Sequence, residues 1–223
     1  MKKLFLLLFS CCLVWPVFAQ NAKPFCSSMD PKVTVRARFC NPKYNSQYSR
    51  AEFLKKANVA KSDPHLLSER VTGLTVGSLD PTLRVAPSLE RKSGQMCVTL
   101  KEIDVELSCP ALTVYIDKKY APSSCEYQVV RKHENYHVAV WQQAPTFFKK
   151  DVEKALHNVL KQMSPKIVHS QKEVDEAADQ MRQTVYQTIK SVHENIIRKI
   201  KEKHAAIDTT EIYRETTEMC HNW

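Results

Sequence analysis

From Ser124 to Trp223 the chain contains no glycine, and the stretch is rich in Ala, Glu, Lys and Gln. Those four residues are among the better helix formers, whereas glycine is one of the worst. The back half is therefore expected to be helical, broken only where proline intervenes. A first helix runs from about Ser124 to Ala144, and Pro145 should kink or restart it. A second amphipathic stretch, TFFKKDVEKALHNVLKQM, closes near Ser164-Pro165. A third helix begins near Val168. Its apolar positions Val174, Ala178, Met181, Val185, Ile189, Val192, Ile196 and Ile200 recur at a mean step of about 3.7 residues, which keeps one stripe on one face. That stripe reads as core packing in preference to a groove for a protein partner. A helix of nearly forty residues is about 60 Å long, enough for part of it to project. Asp208 with Glu211 three residues on is a capping-box pattern that starts a last helix ending around Cys220.

The front half has the other periodicity. Lys32–Phe39 alternates and reads as a strand. Ser49 with Glu52 opens a short capped helix, SRAEFLKKA. Leu74–Val76 and Thr82–Val85 flank GSLDP and suggest a hairpin. Met96–Leu100, Ile103–Ser108 and Leu112–Ile116 are three more strands. The fold class is α+β. A β-rich portion, residues 20–118, precedes a helical portion, residues 119–223, with which it forms one compact domain.

Within the first long helix lies His133-Glu134-Asn135-Tyr136-His137, an HExxH pentapeptide. Two histidines four apart lie about 40° from one another around a helix, so both rings can face one ion. The glutamate between them can handle a water's proton. A random shuffle of this composition gives about 0.02 such motifs, so chance is a poor explanation. The motif points to a zinc-dependent hydrolase with His133 and His137 as ligands and Glu134 as general base.

The third ligand is not adjacent. An HxxGxxH extension needs a histidine at position 143, which is Gln143, so that variant is excluded. The cysteines suggest where to look. Residues 1–19 read as a secretory signal: Lys2 and Lys3, then an apolar run, then Val17-Phe18-Ala19 before a cut ahead of Gln20. Lipoprotein cleavage before Cys11 fits less well, because Phe9 suits that signal poorly. Removal of the signal leaves Cys26, Cys40, Cys97, Cys109, Cys125 and Cys220, an even set that argues for disulfides in the periplasm or outside the cell. Spacing suggests Cys26–Cys40 and Cys97–Cys109 as local staples, leaving Cys125 for Cys220. If helices run antiparallel from that last bridge, His133 and His137 stand opposite positions 208–212. Asp208 and Glu211 are the carboxylates there, Glu211 the better centred, and Tyr213 is close enough to polarise a substrate carbonyl. His157 is a further alternative for the third ligand, and His169, His193 and His204 are expected to be solvated. Asp117 or a backbone carbonyl is expected to orient the imidazoles. Thr113–Ile116 is expected to be an edge strand that holds an extended peptide.

Charge excludes little. Losing Lys2 and Lys3 lowers the formal charge from +9 by two. The remaining bases are scattered or paired with acids, with no aromatic-interleaved stripe of the kind single-stranded nucleic acid needs, so no nucleic-acid partner is expected. No second apolar stretch is long enough to span a membrane.

A signal peptide, a cysteine before a strand (Cys97), an apolar strand (Leu112–Ile116), a helix with HExxH and the segment IDTTEIYRET together resemble the bacterial families of predicted secreted zinc-dependent peptidases of the zincin-like, gluzincin type. The likeness covers roughly residues 95–220 and is specific at the pentapeptide. Arg131 is a charge where zincins usually have an uncharged residue, and no histidine occurs in 208–215. The resemblance implies a Zn2+ cofactor and a peptide or protein substrate. The competing expectation is a non-enzymatic, disulfide-stapled envelope protein whose long helix engages a protein partner. A third is a zinc-binding protein without catalysis.

Overall fold

The computed structural model describes residues 25–39, 41–57, 72–221 and 223. The expected signal segment, 1–19, and Cys40 lie outside the described residues. The chain is α+β, in the order β1 (Lys32–Ala37), β2 (Lys43–Asn45), α1 (Arg50–Lys56), β3 (Gly73–Gly77), β4 (Asp80–Lys92), β5 (Gln95–Ser108), β6 (Leu112–Ile116), α2 (Cys125–Gln162), β7 (Lys166–Val168), α3 (Gln171–Ile207) and α4 (Thr210–Glu218).

Two sheets form. In one the order is β1-β5-β4, with β7 also paired to β5; in the other it is β2-β6-β3. The hairpin expected around GSLDP is absent, because its two arms belong to different sheets: β3 pairs with β6, and β4 pairs with β5. The chain changes sheets at Ser78-Leu79, where Leu79 is buried in the core and the Ser78 N–H reaches the Ala111 carbonyl. The tight hairpin is instead β4–β5. Ser93 and Gly94 both have positive φ, 50° and 78°, the signature of a two-residue turn whose twist suits the strands. The two strands expected at 96–100 and 103–108 are one long strand, β5. β6 is the middle strand of its sheet, so Thr113–Ile116 has no free edge for a peptide; β3 stands at the edge.

The long β5 also overturns two disulfide expectations. Twelve residues of extended strand span about 40 Å, so Cys97 and Cys109 cannot meet. Cys97 bonds Cys26 instead, with Cα atoms 5.5 Å apart, which rules out Cys26–Cys40. The register explains the choice. β1 runs parallel to β5 with Lys32 opposite Glu102; Cys26 lies six residues before Lys32 and Cys97 five before Glu102, so both cysteines fall on the same side of that pairing. Cys109 is also disulfide-bonded. Cys125–Cys220 forms as expected. These bridges are compatible with an extracellular or periplasmic protein. Among the described residues no helix is long and apolar enough to cross a membrane.

α2 runs unbroken through Pro145. Proline removes one helical hydrogen bond, a cost of about 3 kcal/mol in an isolated helix. Here Val138, Ala144, Phe148, Val152 and Leu156 are buried along the same helix, and each large side chain returns roughly 1.5–3 kcal/mol on burial. Packing therefore outweighs the break. α3 does not project: its buried residues run from Val174 to Ile200, almost its whole length. Every residue of the expected stripe except the half-buried Val192 is buried. α2 and α3 form an antiparallel pair, since contacts link 148 with 193 and 137 with 204. β7, which composition did not suggest, lies in the turn between them. One core joins Ile103, Val105, Val114 and Ile116 of the sheets to Phe148 of α2 and Val185 of α3.

Candidate metal centre

α2 begins at Ser124, whose hydroxyl accepts the Tyr127 N–H at 3.1 Å. Two turns on, the helix buries three polar side chains in succession on its inner face: His133, Glu134 and His137 are 7 %, 4 % and 6 % exposed. Polar groups that deep need partners. Theirs come from β3 on one side and from the end of α3 on the other.

β3 meets α2 through a face of small residues. Gly73, Thr75 and Gly77 alternate along the strand, and alternate residues share a face. A Cβ on Gly73 would lie 2.6 Å from Glu134 Oε1 and 2.7 Å from Val130 Cγ1; one on Gly77 would lie 2.7 Å from the Trp141 ring. The glycines let the strand lie against the helix. Thr75 Oγ1 donates to Glu134 Oε2 at 2.7 Å. Burial pushes the Glu134 carboxyl above its ordinary pKa, although the two nearby imidazoles and the Thr75 hydrogen bond pull it down.

Asp208 is the residue that caps the C-terminal end of α3. Its Oδ1 lies 3.1 Å from His133 Nε2 and 3.1 Å from His137 Nε2, while the two Nε2 atoms are 3.3 Å apart. These three side chains could hold a metal ion. Burial acts to raise the Asp208 pKa, but hydrogen bonds from His133 and His137, the charge of His137 and the Tyr213 hydroxyl outweigh it, so the carboxyl is held well below its usual range. Burial likewise acts to depress His137, and the Asp208 hydrogen bond with the charges of Glu134 and Asp208 outweighs it, leaving His137 raised.

Asp208 is free for this role because it does not cap α4. The N-cap is Thr209, whose hydroxyl accepts the Ile212 N–H at 3.3 Å, so the expected Asp208–Glu211 capping box does not form. Glu211 is exposed and outside the converging group. Tyr213, on α4, donates its hydroxyl to Asp208 Oδ1 at 3.0 Å and sets its ring 5.4 Å from that of His133. Burial and the adjacent carboxylate push its phenol strongly upward, so it stays protonated. His157 is exposed and on the same unbroken helix as His133, about 36 Å along its axis; it cannot reach the group.

Two histidines expected in solvent are not there. His193 Nε2 is 2.9 Å from the Leu79 carbonyl. His204 Nδ1 is 2.8 Å from His137 Nδ1, and burial, with the charge of His137, pushes its pKa down to about 4. The available signal for His204 was its four-residue spacing from Asp208, the same spacing as His133 and His137. Asp117, expected beside the imidazoles, is buried elsewhere and accepts the Lys119 N–H at 3.1 Å.

A cleft lined by Thr72, Gly73, Glu134, His133, Tyr213 and Trp223 opens on one side of His133. On its other side lies a larger groove between α2 and α4, walled by Val129, Tyr136, Val140, Ile207, Ile212 and Met219. No protein-family model, curated protein or solved structure matches this chain.

Proposed function

We propose that the protein is an exported zinc-dependent peptidase of the zincin-like kind. The observation that carries the reading is the triangle of His133 Nε2, His137 Nε2 and Asp208 Oδ1, with sides of 3.1, 3.1 and 3.3 Å, beside a buried glutamate. Ligands about 2.0–2.1 Å from a tetrahedral zinc stand about 3.3 Å from one another, so these atoms fit one face of such a site and leave its fourth corner for substrate or water. Zinc, when bound, supplies a Lewis acid that lowers the pKa of a water to about 7.

The chain's own groups do the rest. Glu134, buried and with its pKa raised, takes a proton from the attacking water and delivers it to the leaving amine. Thr75 fixes the carboxylate through Oε2 and leaves Oε1 to work. Tyr213, kept protonated, can turn its hydroxyl from Asp208 toward the oxygen of the scissile carbonyl. β3, the edge strand whose end lines the cleft, replaces β6 as the strand able to hold a peptide backbone. The apolar groove beyond His133 suits a substrate side chain. The disulfides support export.

The test is direct. Purified protein should carry about one zinc per chain, and His133→Ala should lose it. Glu134→Gln should keep the metal and lose cleavage of an unfolded protein such as casein by a factor of at least about 100. A wild type that stays metal-free in zinc-supplemented buffer rejects the reading. Metal binding with no effect of Glu134→Gln would make the protein a zinc binder without catalysis.

A further inference from the structure

We propose that His204 is the positioning residue of this centre, its Nδ1 accepting the Nδ1–H of His137 and so fixing the tautomer that presents His137 Nε2 to the ion. The inference rests on the metal-binding reading above. It begins from a 2.8 Å contact between two ring nitrogens of the same type. One of the two must carry a hydrogen and the other must accept it. If His204 donated, a neutral His137 would carry its proton on Nε2, the atom that faces His133 and Asp208, and could not be a ligand. If His137 donates from Nδ1, Nε2 has only to release the proton it shares with Asp208 for its lone pair to face an ion between Asp208 and His133. Only the second arrangement is compatible with a metal.

Placing a histidine here has a visible cost, which argues that the residue is not incidental. A neutral His204 accepting at Nδ1 carries its hydrogen on Nε2, and Nε2 is buried with no hydrogen-bond partner among the described residues. The ring is packed against Trp141, centroids 5.6 Å apart, and against His137 at 4.9 Å, so it is held in place by its neighbours. A histidine serving only to fill space there would be replaced without loss by an apolar side chain.

The layout of the helices is the second support. On α2, His133 and His137 are four apart; at the end of the antiparallel α3, His204 and the C-cap residue Asp208 are four apart. Asp208 lies against both ligands and His204 against the second, so the C-terminal end of α3 and its cap supply a ligand and the partner of a ligand. Metal-bound histidines generally need such a partner on the other ring nitrogen, more often a carboxylate or carbonyl. A neutral imidazole orients His137 without adding another negative charge beside the Asp208 carboxylate.

Zinc affinity of the full chain, measured by competition with a chromophoric chelator, tests this. His204→Ala should weaken binding by about 10- to 100-fold, the usual effect of losing such a partner. His204→Asn, whose amide oxygen can stand near the lost Nδ1, should recover most of it. Nitrogen–proton spectra of the wild type with isotope-labelled histidine should show His137 protonated at Nδ1 in the zinc form, a readout that does not depend on how either variant folds. The proposal is overturned if His204→Ala binds zinc like the wild type, if His204→Asn is no better than alanine, or if zinc sits on His137 Nδ1. A wild type that binds no zinc instead removes the metal reading itself, so the two failures are distinct.

Discussion

Asp208 becomes a candidate ligand because Thr209 is not one. The Thr209 hydroxyl caps α4, and the carboxylate one residue earlier is released to face His133 and His137. Asp208→Ala should therefore weaken zinc binding by more than the roughly 100-fold expected for losing an outer partner, while Glu211→Ala should leave it unchanged within about twofold, as for exposed substitutions generally. Chelator competition on both variants decides it; the opposite ranking would return the ligand role to Glu211. At this scale the sequence was legible where a single helix carried the geometry. The spacing of His133, Glu134 and His137 is a property of helical rise and turn, so it was readable from one segment. Asp208 and Glu211 could only be narrowed to a window, because choosing between them needed the cap and the direction of the corner. His204 was invisible for the same reason: four-residue spacing to an acid is common on solvated faces, and only the packing of α3 against α2 turns it inward.

At the scale of the element, β3 matters more than its five residues suggest. Its two glycines and Thr75 pave the surface on which the HExxH helix rests, and Gly73 leaves the room that the Glu134 carboxylate occupies. Gly73→Ala should press a methyl group against Oε1 and the Val130 side chain. The expected result is a loss of about 1–3 kcal/mol from overpacking, read by urea unfolding, with hydrolysis falling further than zinc affinity because the displaced group is the base and not a ligand. Equal losses of both would mean the strand supports the helix as a whole. Strand positions were largely readable from alternation, but their pairing was not. Nothing in LTV and TLRV records that they join different sheets, and only the burial of Leu79 at the crossing explains it. Pro145 misled for a related reason: its local cost is real, and the core on either side of it exceeds that cost.

For the molecule as a whole, the telling contrast is between α3 and α4. α3 buries a full stripe, whereas α4 buries no residue. α4 is instead held at its two ends. Tyr213 ties its start to Asp208; Cys220, just beyond its end, is bonded to Cys125 at the start of α2, and Trp223 sets its ring edge-on to Tyr120 at 5.8 Å. The bridge closes a loop with a sequence separation of 95, for which chain entropy alone gives between about 4 and 5 kcal/mol. The same covalent link ties the end of α4 to the start of α2, the two helices that flank the α3–α4 corner and the His133–His137 pair. Replacing both cysteines, as Cys125→Ser with Cys220→Ser, should do two separable things. It should lower stability by about 2–5 kcal/mol, and it should reduce the extra stability that zinc confers. A ligand at about 100 times its dissociation constant adds about 2.7 kcal/mol to a folded protein; a tenfold weaker site at the same zinc concentration adds about 1.4. Thermal unfolding of the wild type and the double variant, each with and without zinc, measures both effects in one experiment. An equal zinc-induced shift in the two proteins would show that α2 and α3 hold the centre unaided and that the bridge serves stability alone.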